Sequence, residues 1–407
     1  MNIWRVPYPK FGAGPSLERV AEIASRLGID LAAFGKHGAV IVGSNGKGST
    51  AAMCAALLQQ ASARVGLFTS PHLFALNERF RLDDDDITDT DLQKHWTRVA
   101  RAIEEAGYAD KIGGFEFLFL IAADWFKARG CTHTVWEAGI GGRLDPVKLI
   151  HARQVALTSL DLEHIALLGE TLEAIALEKI AAAPNGGALF VSVAAAPELS
   201  PVRRAIEAYS SERSIGLRFV PSLDHAPLPG AHQLNNAGLA VELAQRITTL
   251  SPSQIEAGLA ATRWPGRLET LSDDPLIVID VGHTPEGVAA ALEGFIAMRG
   301  ERRAILVCGA SQDKDASAII SRLAPGFATV LCVAAQHKGA PAAHIAAYAQ
   351  VANPEAEIAL ADSMAEARRL AIAKARGGAI YVAGGLFLAA EFKAVHLGRD
   401  PASLAFF

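Results

Sequence analysis

The sequence has few cysteines, and none of them is spaced as a metal ligand. The four, Cys54, Cys131, Cys308 and Cys332, lie far apart along the chain, without a CxxC pair or a Cys/His ligand spacing. Cys54, Cys308 and Cys332 lie in apolar segments, which favours buried free thiols. The cysteines therefore indicate no metal site or disulfide framework, and they suit a reducing compartment.

Membrane-directing segments and an excess of positive charge are also missing. Met1–Pro9 has no basic region followed by an apolar stretch, so we expect no signal peptide. Phe115–Phe126 is apolar, but Glu116 and Asp124 interrupt it and it is too short to span a membrane. The net charge is -5, whereas nucleic-acid binders are usually basic. We expect a cytoplasmic monomer without a nucleic-acid or membrane partner.

The chain is long enough for two domains. Its 407 residues exceed what one compact core usually holds. Hydrophobic residues make up 51% and charged residues 20%, so both domains can bury a core and global disorder is excluded. Arg263-Trp-Pro-Gly-Arg267 interrupts the pattern of the chain, and we predict domains of residues 1–268 and 269–407.

Strand-like and helix-like segments alternate in both predicted domains. Gly38–Gly43, Ser49–Ala61 and Arg64–Phe68 predict a strand, a helix and a strand, which implies a parallel sheet with a right-handed crossover. The other predicted strands are 132–137, 155–160, 188–193, 276–280, 304–308, 330–333 and 379–383. The other predicted helices are 91–106, 115–128, 172–183, 286–298, 316–323 and 365–374. Alternation of this kind predicts an α/β fold.

The strongest functional signal is a glycine-rich loop between the first predicted strand and helix. It consists of Gly43, Ser44, Asn45, Gly46, Lys47, Gly48, Ser49 and Thr50. Glycines let backbone N–H groups approach a phosphate, and the helix N-terminus adds partial positive charge. Lys47 is expected to reach the β- and γ-phosphates, and a hydroxyl of Ser49 or Thr50 to hold Mg²⁺. The alternative, a simple turn, does not explain why glycines, lysine and hydroxyls coincide.

The spacing of this loop is typical of one ligase superfamily, because Gly48 separates Lys47 from Ser49. The sequence resembles the folylpolyglutamate synthase/dihydrofolate synthase family of the Mur ligase superfamily over nearly its whole length. Besides the loop, the ordered matches are Thr69-Ser-Pro-His-Leu73, Glu137-Ala-Gly-Ile-Gly-Gly-Arg-Leu-Asp145, Glu163-His164, Glu178-Lys179, Gln233 with Asn236, Pro265-Gly-Arg267, Asp280 with His283-Thr-Pro285, and Asp313-Lys-Asp315. The resemblance implies a P-loop NTPase-like parallel-sheet domain followed by a smaller Rossmann-like α/β domain.

The resemblance also implies a reaction. The family joins a carboxylate to the amine of an amino acid, here expected to be glutamate, and leaves ADP and phosphate. A carboxylate is a poor electrophile, and phosphorylation by ATP gives it a leaving group. Both reactants of that first step are anions, so Mg²⁺ and Lys47 are expected to offset their repulsion.

Two metal sites are implied by the resemblance. One would use Ser49 and Glu137, with Ser70 close by. The other would use His164 and a carbamylated Lys179, whose carbamate oxygens suit Mg²⁺. Glu137 ends an apolar strand, where an unpaired carboxylate is costly, and this favours a functional role. The structural alternatives are a core or surface histidine at His164 and a solvated lysine at Lys179.

The second domain is expected to close over the nucleotide. By resemblance, Asn236 and Arg267 contact ATP, and Asp280 lies near the ribose or the phosphates. The residues implied to act in catalysis are Lys47, Glu137, His164, Lys179 and His283. The residues implied to face the substrates are Arg143, His283, Asp313 and Lys314.

Three departures from the family pattern leave the substrates open. Pro146 follows the Glu137–Asp145 segment and predicts a reshaped loop, Glu163 replaces an aspartate, and Thr284 replaces an amide side chain. A dihydropteroate or folate acceptor is the leading hypothesis, and a related ligase acting on another small carboxylate and amine is the alternative. A P-loop NTPase, or an ATP-binding protein without ligase activity, is the alternative of another class.

Overall fold

Two sheets, each covered by helices on both faces, follow one another along the chain in the computed structural model, which describes residues 4–406. Part of the expectation about a signal peptide rests on Met1–Ile3, which lie outside the described residues. The strands are β1 Gly38–Val42, β2 Val65–Phe68, β3 Phe80–Leu82, β4 Asp85–Asp86, β5 His133–Glu137, β6 Gln154–Leu157, β7 Ala188–Ser192, β8 Gly216–Val220, β9 Glu269–Asp273, β10 Leu276–Ile279, β11 Ala304–Cys308, β12 Thr329–Cys332, β13 Glu357–Leu360 and β14 Ala379–Ala383.

The α-helices connect these strands and cover the sheets. They are α1 Leu17–Arg26, α2 Lys47–Gln59, α3 Asp89–Glu105, α4 Gly114–Ala128, α5 Ile165–Leu168, α6 Leu172–Ile180, α7 Pro201–Glu212, α8 His232–Ile247, α9 Pro252–Ala261, α10 Pro285–Arg299, α11 Ala316–Leu323, α12 Ala342–Ala352, α13 Met364–Ala375 and α14 Leu386–His396. Short 3₁₀ helices occupy Leu31–His37, Leu76–Arg79, Pro146–Ile150, Ala324–Gly326 and Pro401–Ser403. Within residues 4–406, no helix is long and apolar enough to cross a membrane.

The first sheet has the strand order β4-β3-β2-β5-β1-β6-β7-β8. From β2 to β8 its neighbours pair in parallel, and β3 and β4 add an antiparallel edge. Every residue of β1 and β2 is buried, as expected of strands covered on both faces. The carboxyl ends of β5, β1 and β6 therefore meet at one edge, with β1 in the middle.

The second sheet has the strand order β13-β12-β11-β14-β10-β9. All its pairs are parallel except β9 with β10. The segments that follow β10 and β11 leave the sheet at one edge, on either side of β14. The predicted fold class is confirmed, with a larger parallel-rich N-terminal domain and a smaller α/β C-terminal domain.

The predicted strands and helices all occur, with ends within three residues of those predicted. Elements that were not predicted include the edge strands β8 and β13. These strands are short and largely exposed or half-buried, so they lack the continuous apolar run that marks the inner strands. The buried thiols are confirmed at Cys54, Cys308 and Cys332. Cys308 and Cys332 are paired on neighbouring strands, with their Sγ atoms 4.0 Å apart.

Candidate active site

The glycine-rich loop lies at the carboxyl end of β1, in the middle of the first sheet. Gly43 and Gly46 have φ angles of 145° and 82°, which residues with a side chain rarely adopt. A Cβ atom at Gly43 would also collide with the hydroxyl of Thr158. Gly46 precedes α2 without a side-chain cap, so the first N–H groups of this helix can meet a phosphate.

The segment after β6 fixes the conformation of this loop. The hydroxyls of Thr158 and Ser159 donate to the Asn45 carbonyl at 2.6 and 3.1 Å, and the Asn45 N–H donates to Ser159 Oγ at 2.8 Å. The Asp161 N–H donates to Ser44 Oγ at 3.0 Å. Because these bonds lie within the protein, the loop is held in place before a ligand binds.

Two lysine side chains converge on one carbonyl of the loop. Lys47 Nζ donates to the carbonyls of Gly43 and Ser44 at 2.8 and 3.0 Å. Lys179 Nζ donates to the same Gly43 carbonyl at 3.0 Å and to Glu163 Oε1 at 2.8 Å. Burial and the charge of Lys47 lower the pKa of Lys179 to about 8. Burial alone would raise the pKa of Glu163, but Lys47 and Lys179 outweigh it and hold that pKa at about 2.

Glu137 ends β5 on the other side of the loop and is 4% exposed. Its Oε2 accepts the Ser70 N–H at 2.9 Å. Burial raises the pKa of Glu137, and Lys47, the Ser70 N–H and Arg267 oppose that rise. The structure therefore brings Lys47, Ser70 and Arg267 together around this buried carboxylate.

Oxygen donors of the kind Mg²⁺ prefers lie in the first turn of α2. Thr50 Oγ1 is buried without a hydrogen-bond partner, and Ser49 Oγ accepts a long bond of 3.4 Å from Gln233 Nε2. Among residues 4–406, no three His, Cys, Asp or Glu side chains group as a metal cage. A cation here would combine few protein oxygens with phosphate and water oxygens, as Mg²⁺ commonly does. The residues present fit such a cation.

His164 lies on the opposite side of the loop from Glu137. It adopts a left-handed conformation with a φ of 46° at the start of α5. Burial lowers its pKa, Glu163 opposes this, and Lys314, Lys10 and Lys179 lower it further. His164 therefore lies within electrostatic reach of Lys179 and of Lys314 from the C-terminal domain.

The connection between the domains presents Arg267 to the site. The flanking residues Gly266 and Leu268 have φ angles of 78° and 45°, and the Leu268 N–H donates to Asp280 Oδ2 at 3.1 Å. Arg267 Nε is buried without a hydrogen-bond partner. Burial raises the pKa of Asp280, and the charge of Arg267 opposes that rise. The same guanidinium acts on the pKa of Glu137, so it lies near both carboxylates.

His283 and Lys314 face the site from the C-terminal domain. Burial, with Lys314 and Arg267, lowers the pKa of His283 to about 4. His283 is therefore neutral at pH 7. The charge of Lys314 lowers the pKa of both His283 and His164, so its ammonium group lies near one histidine of each domain.

Asn236 touches the glycine-rich loop from α8. A Cβ atom at Gly46 would collide with Asn236 Oδ1, and one at Gly48 would come within 2.8 Å of the Trp264 ring. Asn236 Nδ2 donates to Gln233 Oε1 at 2.9 Å. The two matched residues of this helix therefore form one polar pair over the loop.

Two of the predicted substrate residues have exposed side chains. Arg143 is half exposed and pairs with Glu178, with Nε donating to Oε2 at 2.7 Å. Asp313 is exposed. Burial lowers the pKa of Lys10, and the negative charge of Asp313 opposes that shift. A role of Arg143 and Asp313 in substrate binding stays a prediction.

The departures Pro146 and Thr284 have structural roles in this chain. Pro146 is the first residue of a 3₁₀ helix that Asp145 caps through the Val147 N–H at 3.0 Å. An N–H is not needed at that position. Thr284 caps α10 and accepts a bond of 3.0 Å from Asn45 Nδ2. Thr284, one of the departures that left the substrates open, therefore contacts the glycine-rich loop.

Asp161, Glu163 and Gln233 also contact the site, although the predicted site residues did not include them. Asn45 Nδ2 donates to Asp161 Oδ2, and the Thr284 hydroxyl donates to the same oxygen at 3.4 Å. Burial raises the pKa of Asp161 to about 6, and Glu286 and Glu163 add to the rise. Their position along the chain could have identified the two acidic residues, because β6 was a predicted strand and residues just beyond it face the same sheet edge as the glycine-rich loop.

This chain is similar to known proteins in both fold and sequence. The family model described as "Mur ligase, glutamate ligase domain" matches residues 266–386. The folylpolyglutamate synthase of Lacticaseibacillus casei is 31% identical over 88% of this chain and 89% of its own length. The solved bifunctional folylpolyglutamate synthase/dihydrofolate synthase of Yersinia pestis, complexed with AMPPNP and Mn ion, is 26% identical with a TM-score of 0.82, covering 94% of this chain and 93% of that chain.

Some similar proteins are longer than this chain. The probable bifunctional folylpolyglutamate synthase/dihydropteroate synthase of Halobacterium salinarum is 30% identical over 94% of this chain. This chain spans only 49% of that protein, about half its length. The similarity therefore concerns one part of that bifunctional protein.

Proposed function

Because the chain belongs to the folylpolyglutamate synthase family, we propose that it is an ATP-dependent ligase forming an amide bond. The acceptor is a carboxylate of dihydropteroate or folate type, and the amine is that of an amino acid, with glutamate expected. The products are the amide, ADP and phosphate. The glutamate ligase domain matched at residues 266–386 supports the amino acid, and the Lacticaseibacillus casei relative supports the acceptor.

The observation that carries this proposal is the convergence of Lys47, Glu137 and Arg267 on the glycine-rich loop. A simple nucleotide site needs the loop and its lysine. Here a cation from the connection between the domains, Arg267, meets a buried carboxylate at the end of β5 at the same place. That arrangement suits transfer of a phosphoryl group between two anions, because cations on both sides offset the developing charge.

In the first step, the substrate carboxylate attacks the γ-phosphorus of ATP, and the bond to the β–γ bridging oxygen breaks. Lys47 leaves its two loop carbonyls and binds the phosphate oxygens, and the N–H groups of α2 hold the β-phosphate. Arg267 meets the transferring group from the opposite side. In the second step, the amine attacks the acyl carbon, phosphate leaves and the amine nitrogen loses a proton.

Mg²⁺ supplies charge neutralisation and orientation of the phosphates when it is bound. Ser49 and Glu137 would hold one ion, with Ser70 beside them. His164 and a carbamylated Lys179 would hold a second. The lowered pKa of Lys179 supports carbamylation, because only the neutral amine adds to CO₂, and Glu163 is placed to orient the group.

The C-terminal domain binds the amino acid in this proposal. His283 stays neutral at pH 7, so Lys314 is the cation that would pair with a substrate carboxylate near His283. Asp313 and Arg143 are assigned supporting roles in substrate binding. Asn236 and Asp280 contact the nucleotide. We place the division between the domains at 268/269, and we expect a cytoplasmic monomer.

The direct test is to measure phosphate release and product mass with ATP, Mg²⁺, glutamate and either dihydropteroate or a reduced folate. We expect a product heavier than the acceptor by one glutamyl group. Turnover only with other carboxylate and amine pairs would overturn the folate assignment and keep the ligase. ATP hydrolysis without any amide product would overturn the ligase.

A second test addresses Lys179. Lys179→Ala should inactivate the enzyme, and added acetate should restore part of the activity by supplying the missing carboxylate-like oxygens. Lys148→Ala is the matched control, since Lys148 is a half-buried lysine outside the cluster. Full activity of Lys179→Ala would remove Lys179 from the metal site.

A further inference from the structure

One loop of the N-terminal domain is held by the C-terminal domain. It consists of residues 70–74 and follows β2. Leu73 packs in a buried cluster formed mainly by the C-terminal domain, including Ile279 and Val382. Lys393 Nζ lies over the Phe74 ring, 5.2 Å from its centroid. The position of this loop therefore depends on how the two domains meet.

The segment Leu404–Phe406 covers the middle of that loop. His72 Nε2 lies 2.6 Å from the Ala405 carbonyl, and Arg79 Nε donates to His72 Nδ1 at 2.9 Å. Because Nδ1 accepts, Nε2 carries the hydrogen and donates to Ala405. The Phe406 and His72 rings are stacked, with centroids 5.8 Å apart and 5° between their planes. Burial and Arg79 lower the pKa of His72 to about 3, so His72 stays neutral.

Phe406 is anchored to the C-terminal domain at the same time. Its ring centroid lies 4.7 Å from that of Phe387 and 5.1 Å from that of His337. The buried Glu391 accepts the N–H groups of Gln336 and His337 at 2.9 and 3.0 Å, which fixes the segment beneath Phe406. One aromatic side chain therefore joins the two domains.

This contact leads directly to the site. His72 is two residues from Ser70, whose N–H is bound to Glu137. Arg79, which holds the other side of the His72 ring, also acts electrostatically on Glu137. A displacement of His72 would therefore move Ser70 and Arg79, two groups that hold the Glu137 carboxylate.

We propose that Leu404–Phe406 is a latch that holds the two domains together and, through the positioning residue His72, sets Ser70 against Glu137. The metal-related part of this inference rests on the proposed function, because it takes Glu137 as a ligand. The claim that Leu404–Phe406 holds the domains together does not rest on it, because the contacts of His72 and Phe406 exist whatever the reaction.

The test compares Phe406→Ala with Val351→Ala, which removes an 83% exposed side chain of the same domain. We would measure Mn²⁺ affinity by electron paramagnetic resonance in the presence of ADP, and the radius of gyration by X-ray scattering. Loss of one aromatic contact corresponds to about 2- to 10-fold in an equilibrium. We expect Mn²⁺ affinity to fall by that factor and the radius of gyration to rise in Phe406→Ala only.

Rescue separates positioning from general stability. Phe406→Tyr and His72→Gln should retain most of the Mn²⁺ affinity, whereas His72→Ala should lose it. Equal Mn²⁺ affinity and radius of gyration in Phe406→Ala and Val351→Ala would overturn the latch. Both measurements proceed without turnover, so failure to ligate any carboxylate would count against the proposed function alone.

Discussion

The two halves of the site differ in how completely the protein fixes them. On the N-terminal side, hydrogen bonds within the protein hold the loop and Lys179, and Ser70 binds Glu137. At the connection between the domains and in the C-terminal domain beyond it, Arg267 Nε is buried without a partner and His283 Nδ1 has a contact of 3.4 Å to a carbonyl. We infer that the first half is preorganised for nucleotide and that the second half is completed by the substrates of the proposed reaction.

The largest expected effect tests the preorganised half. Lys47→Ala should lower kcat/KM by about 10²- to 10³-fold or more, because it removes a fixed positive charge at the transferring phosphate. Circular dichroism and the melting temperature should stay close to those of the wild type. The matched control is Lys36→Ala, an exposed lysine of the same domain. Near-normal turnover of Lys47→Ala would contradict the role of the loop.

The second prediction concerns the half that the substrates complete. Arg267→Ala should lower kcat by about 10²-fold, the scale of one lost transition-state donor, while ATP affinity measured by calorimetry changes little. The reason is that Arg267 has no hydrogen bond to maintain before substrate binds. Arg302→Ala, an exposed arginine, serves as control. A large loss of ATP affinity with unchanged kcat would place Arg267 in ground-state binding instead.

The third prediction uses the lowered pKa of Lys179. The carbamate forms from the neutral amine, which predominates above a pKa of about 8 rather than near 10.5. In enzyme stripped of CO₂, activation by bicarbonate should therefore rise as the pH increases through about 8. Lys179→Ala should show no such activation. A bicarbonate response that is flat between pH 7 and 9 would argue against carbamylation.

The smallest expected effect on activity and stability concerns the contact between Thr284 of the C-terminal domain and Asn45 of the glycine-rich loop. Thr284→Val keeps the shape of the side chain but removes the bond to Asn45 and the cap of α10. Loss of the cap should cost about 1 kcal/mol of unfolding free energy, and KM for ATP should rise a few-fold. Thr284→Ser should behave as the wild type. Unchanged stability and KM in Thr284→Val would show that this contact does not couple the two halves.

The sequence predicted which residues belong to the site better than it predicted which side chains they contact. The strand before Gly43 and the helix after Lys47 follow from apolar runs and glycine spacing, which act locally. Asp161 was not predicted as a site residue, and Glu163 was noted only as a departure beside His164, since the loop meets them only after β6 pairs with β1. The pairing of Arg143 with Glu178 across 35 positions also has no local signal.

The sequence by itself determined the α/β fold, the phosphate loop and the residues that carry charge, because periodicity and glycine spacing are properties of neighbouring residues. Tertiary structure decided which charges meet. Parallel pairing brings the carboxyl ends of β5, β1 and β6 together, and Lys179 is buried beside Lys47. Burial and the charge of Lys47 lower the pKa of Lys179. The approach of the domains places Arg267 near Glu137 and Phe406 on His72, contacts that depend on burial and distance rather than on sequence order.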